Sequence, residues 1–174
     1  MNTVKIFISL YYDKQRRRPN LKYFINTLEH KPSKYSLSDF SVESANASIK
    51  HFSNKPYQKN AIVQLDTTNL KEHNKITIVM DDKTDNDGDL WCKIREIEVD
   101  DIRFEESLLL VSKFTHSMPN TWVSDMKKKG YNILPVYNQS NEIRLNGELE
   151  IVFFMPVWQF RVTNCNERTY YPIS

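Results

Sequence analysis

From Thr3 to Tyr12 the residues alternate without a break. Val4, Ile6, Ile8, Leu10 and Tyr12 fall on one face, and Lys5, Phe7, Ser9 and Tyr11 on the other. A period of two residues marks a half-buried β-strand, so the chain must build a sheet with one greasy face. Further strand patterns occupy residues 61–65, 75–80 and 90–99, and the last changes phase between Ile94 and Ile97, which a β-bulge reconciles. Residues 143–145 and 149–154 flank Asn146-Gly147, a strong short hairpin signal.

Three segments read as helices. Asn20 can cap a stretch in which Leu21, Phe24, Ile25 and Leu28 recur at helical spacing before Pro32. Asp101 can cap a second, with Glu105 and Glu106 in its first turns and Ile102, Leu108, Leu109, Val111 and Phe114 as apolar positions. Pro119 and Asn120 open a third, short helix carrying Trp122, Val123 and Met126. It ends in Lys127 to Lys129 with Gly130 just beyond. Residues 33–60, rich in Ser, Asn and Lys, form a long, partly ordered connection with a short strand near Phe40 and Val42. This grouping predicts an α+β fold: one compact domain over 1–174, a mostly antiparallel sheet packed against two or three helices, and a C-terminal hairpin and tail over 143–174.

A chain of 174 residues can bury a core without staples. Cys92 and Cys165 form neither a CxxC pair nor a metal-ligand spacing, so they read as free thiols in a reducing compartment. The opening residues lack a basic n-region and a cleavage site, which predicts no export. The longest apolar run, residues 151–158, is interrupted by Pro156 and is too short to span a bilayer.

Motifs for catalysis are missing. Three glycines make no phosphate-cradling loop, and no serine sits in a GxSxG elbow. His30, His51, His73 and His116 share no metal-ligand spacing. Asp85, Asp87 and Gly88 match part of a calcium loop, but Lys83 stands at its first ligand position and Ile94 at its twelfth. The segment therefore reads as a charged hairpin turn. No enzyme, metal or cofactor is expected. The helix ending in Lys127 to Lys129 could belong to a helix-turn-helix, but no small residue precedes it where two helices would meet. A core helix anchored by Trp122, with a solvated basic end, is the plainer reading.

Charge is more informative. Lys14, Arg16, Arg17, Arg18 and Lys22 form a basic turn suited to phosphates on nucleic acid or lipid. Residues 81–106 hold eleven acidic and four basic side chains, a net of −7, so the formal +2 of the whole leaves +9 elsewhere. Asp85, Asp87 and Asp89 could dock on the basic face of a second copy, a head-to-tail contact that builds open polymers.

The order of these patterns resembles the matrix proteins of rhabdoviruses, with the short length pointing to the plant-infecting branch. The likeness is carried by the Thr3-Val4-Lys5-Ile6 strand with its basic turn and following helix, and by Lys55-Pro56-Tyr57 leading to Thr68-Asn69-Leu70. It continues from Glu106-Ser107-Leu108 through Trp122 to Gly130 and residues 132–136. The chain enters its first strand where animal members carry a basic arm with a budding signal, of which Leu134-Pro135-Val136-Tyr137 is an echo. The resemblance implies a non-enzymatic viral structural protein that self-associates, binds and condenses the nucleocapsid, and links it to an anionic membrane surface during assembly. Its place would be the virion and host cytoplasm, peripheral at membranes. Lys14, Arg16, Arg17, Arg18, Lys22, Lys127, Lys128 and Lys129 would be its polyanion contacts. The alternative is a small single-stranded nucleic-acid-binding module, RNA included, that stacks bases on Tyr11, Tyr12 and Tyr23. A third reading is an inhibitor-type protein whose acidic stretch binds its partner.

Overall fold

The computed structural model describes residues 1–12, 17–38, 57–87, 90–104 and 111–155. The strands are β1 (Asn2–Tyr12), β2 (Lys22–Ile25), β3 (Leu28–His30), β4 (Lys34–Ser38), β5 (Tyr57–Thr67) and β6 (His73–Met80). They continue as β7 (Trp91–Val99), β8 (Ile102–Phe104), β9 (Ser112–His116), β10 (Val136–Asn138), β11 (Glu142–Ile143) and β12 (Gly147–Phe154). One complete helix, α1 (Asn120–Lys128), lies among the described residues, between β9 and β10.

All pairings are antiparallel and form two sheets. The first runs β11-β7-β1-β5-β4, with β8 also on β7, and the second runs β10-β9-β12-β6-β2-β3. Alternation puts Val4, Ile6, Ile8 and Leu10 of β1 on the inner face beside Ala61, Val63 and Leu65 of β5. They join Ile76, Ile78 and Met80 of β6 and Leu149, Ile151 and Phe153 of β12 in one buried cluster that spans both sheets. Two sheets sharing one core make a β-sandwich. Each fully buried Ile or Leu contributes about 1.5–3 kcal/mol by leaving water.

The α+β expectation is corrected here, because the chain is two sheets and not a sheet backed by helices. The segment after Asn20 is a hairpin. Its apolar spacing fits a helix, but the residues that go inside are Tyr23 and Ile25, two apart, while Leu28 is 52% exposed. Asn26 and Thr27 take positive φ of 50° and 78°, closing the tight β2–β3 turn. Asn26 is held there by accepting from Lys75 N and donating to Asn74 Oδ1.

The helix expected from Asp101 does not begin there: Ile102 lies in β8 and Phe114 in β9, while Val111 is helical. Asp100 and Asp101 form a turn at φ 47° and 65°, then β8 pairs back on β7, and β9 follows at Ser112. Residues 105–110 lie outside the described set, as do the short strand expected near Phe40 and Val42 and the tail from 156.

Asn146-Gly147 makes no hairpin, since β11 pairs with β7 in one sheet and β12 with β6 and β9 in the other. Gly147 is needed because a Cβ there would stand 2.3 Å from Thr115 O. The acidic turn likewise crosses between sheets from β6 to β7 and joins no hairpin. The β7 bulge is present: Phe7 faces Glu96 and Ile8 faces Ile94, which leaves Arg95 as the extra, exposed residue.

Candidate functional site

The β1–β2 and β6–β7 connections meet at one end of the sandwich. Arg17 lies between two carboxylates there, giving Nε and Nη2 to Asp87 at 2.9 and 2.8 Å and Nη1 to Asp82 at 2.7 Å. Lys22 reaches Asp81 at 2.5 Å, and Asn20 donates to Asp82. Asp87 is buried in a 3-10 turn (Asp85–Asp87), where it also accepts from the Thr84 amide and hydroxyl. Arg17 first, then the Thr84 amide, hold its carboxyl well below the usual carboxylate range. Lys83 ties this loop to the last turn, donating to Arg144 O and exchanging backbone bonds with the Asn146 amide.

The structure thus brings the two sequence-nominated clusters together within one chain. Arg17 and Lys22 are spent on Asp81, Asp82 and Asp87, and Arg18 lies close to the Tyr35 hydroxyl. Asp85 is exposed. Lys14, Arg16 and Asp89 lie outside the described residues. Among the described residues, no three His, Cys, Asp or Glu side chains gather to hold a metal ion.

Lys127, Lys128 and Lys129 stand elsewhere, at the exposed end of α1. That end is a Schellman cap, in which Tyr131 N donates to Met126 O and Gly130 N to Lys127 O with Gly130 at φ 88°. Lys128 pairs with Asp125 at 3.3 Å, while Lys127 and Lys129 have no ion-pair partner among the described residues. No residue of α1 is buried, so the reading of a core helix anchored by Trp122 is corrected: Trp122, Val123 and Met126 are half-exposed. A strand precedes α1, so no helix-turn-helix forms. Tyr131, just beyond the cap, is 57% exposed.

A third surface has almost no signature in the sequence. On the outer face of the first sheet, Lys5, Phe7, Lys34, Ser36, Ile62, Gln64, Glu98 and Arg103 line an open trough of about 260 Å³. Glu98 is 5% exposed and takes Lys5 at 2.5 Å and Arg103 at 2.8 Å. Those partners, Lys5 first, hold its carboxyl below its ordinary value. The only trace in sequence is that the outward residues of β1 include a lone phenylalanine between Lys5 and Ser9. Its neighbours come from strands far away in the chain.

Fold and surfaces define an antiparallel β-sandwich with a latched loop end, a protruding basic helix and a polar trough. Comparison with protein-family models, curated proteins and solved structures gave no match to this chain.

Proposed function

We propose that this protein is a non-enzymatic structural protein, matrix-like in role, which self-associates and attaches a viral nucleocapsid to an anionic membrane surface through the basic end of α1. The observation that carries the reading is the composition of that protrusion. Three exposed lysines end a nine-residue helix that also carries half-exposed Trp122 and Met126, with exposed Tyr131 just beyond, a mixture that suits the headgroup region of an anionic bilayer. No helix among the described residues is long and apolar enough to cross a membrane, and the contact proposed is a peripheral one.

The polyanion site is therefore narrower than the eight cations nominated in sequence, because Arg17 and Lys22 are already neutralised. The base-stacking alternative loses its platform: Tyr11, Tyr12 and Tyr23 are 4, 6 and 4% exposed, and Tyr11 stacks on Trp91 at 3.8 Å.

Flotation with phosphatidylserine-containing vesicles across a salt series tests the proposal. The protein should float with anionic but not neutral vesicles and be released by salt. Replacing Lys127, Lys128 and Lys129 with Gln should weaken partitioning about a hundredfold, at about 1 kcal/mol per cation. Failure to float, or flotation unchanged in the triple variant, would refute it.

A further inference from the structure

The trough is built by register. Lys34 faces Gln64, Gln64 faces Lys5, Lys5 faces Glu98 and Glu98 faces Arg103, one residue from each of β4, β5, β1, β7 and β8. At about 4.8 Å per strand the row extends about 19 Å across the sheet. The next row, Ser36, Ile62, Phe7 and Glu96, has an apolar centre. Phe7 and Ile62 are half-buried, and the Arg103 guanidinium stands 5.3 Å from the Phe7 ring.

Its charges balance, with Lys5, Lys34 and Arg103 against Glu98, Glu96 and Asp101, and only Lys34 stands outside an ion pair among the described residues. Glu98 is paired by Lys5 and Arg103, Glu96 by Arg103 at 3.1 Å, and Lys5 also by Asp101 at 3.3 Å. Little field remains to attract an anion, yet hydrogen-bonding capacity remains. Lys5 uses two of its three protons on Glu98 and Asp101. The Gln64 side-chain amide donates through Nε2 to Asp66, and its Oε1 has no partner among the described residues. Lys34 adds donors, and the Ser36 hydroxyl serves either way.

We infer that this trough binds a neutral oligosaccharide. Sugar hydroxyls both donate and accept, which fits a row of alternating donors and acceptors, and the C–H face of a pyranose ring would cover Phe7 and Ile62. An extended peptide joins a sheet through backbone groups at its edge, whereas this surface is a face that offers only side chains. The inference does not depend on α1, which lies in a connection of the other sheet.

Isothermal titration calorimetry of the full chain tests it. The probes are cellohexaose, maltohexaose, xylohexaose and N-acetylchitohexaose, with inorganic phosphate and oligogalacturonate as charged controls. At least one neutral hexasaccharide should bind at about 1 mM or tighter. Gln64→Ala and Lys34→Ala, both away from the core, should each weaken it about tenfold with melting temperatures unchanged. Silence from all four neutral probes at about 10 mM, heat from the charged probes alone, or affinity unchanged in both variants would overturn the inference.

Discussion

Asp87 accepts four hydrogen bonds, two from Arg17 and two from Thr84. Its carboxyl is depressed in the folded chain, so on acidification the unfolded chain, with an ordinary value near 3.9, takes up the proton first. The stability from this pairing is fully present above about pH 5 and is lost as pH falls towards the depressed native value. Melting temperature should therefore fall through this acid range. Asp87→Asn should cost about 2 kcal/mol at pH 7 and flatten the acid limb, while Glu98, and Glu150 of β12 held by Lys113 of β9 and Lys75 of β6, are also depressed by their cations and keep some slope. An acid limb as steep as the parent's would show that the latch does not contribute. The glycines separate two causes of strain. Gly147→Ala places a Cβ against the Thr115 carbonyl, whereas at Gly130 nothing lies within 4 Å and only the positive φ resists. Urea unfolding should show a loss above about 3 kcal/mol for the first and about 1 kcal/mol for the second.

Among the elements, α1 is the least tied down: none of its side chains is buried, and it hangs between two strands of the second sheet. Its amides should exchange with deuterium well before those of β1 and β5, since helices this short draw their stability from packing. Equal protection would indicate packing beyond what its exposed side chains provide. α1 was the most legible helix in sequence because proline, basic last turn and glycine agreed, and these are local signals. The β2–β3 hairpin was not legible. Leu21, Phe24, Ile25 and Leu28 satisfy a helical period by coincidence, and only the pairing of Tyr23 and Ile25 with Ile78 and Ile76 of β6 decides for strand. The long strands were legible because alternation is intrinsic to them. That β11 and β12 belong to different sheets was not, since a dipeptide records a turn and not what its arms pair with. The trough was invisible for the same reason, being assembled by register across five strands.

At the scale of the molecule, the near-neutral total conceals opposite charges folded onto each other. Arg17 and Lys22 meet the acidic loop, and Lys5 and Arg103 meet Glu98. The −7 and +9 of the sequence therefore overstate the two-faced surface. With one apolar cluster shared by both sheets, far- and near-ultraviolet circular dichroism should report one coincident unfolding transition. Two separated transitions would mean that the sheets are independent units. β1 is first in the chain yet lies between β5 and β7, so that Val4 touches Leu65 on one side and Val99 on the other. During synthesis this apolar strand emerges long before either neighbour exists, and the centre of its sheet cannot close until residue 99 has left the ribosome. Such distant pairings make folding slow for the chain's size, and a nascent chain halted before β7 would expose one whole edge of β1 to other chains.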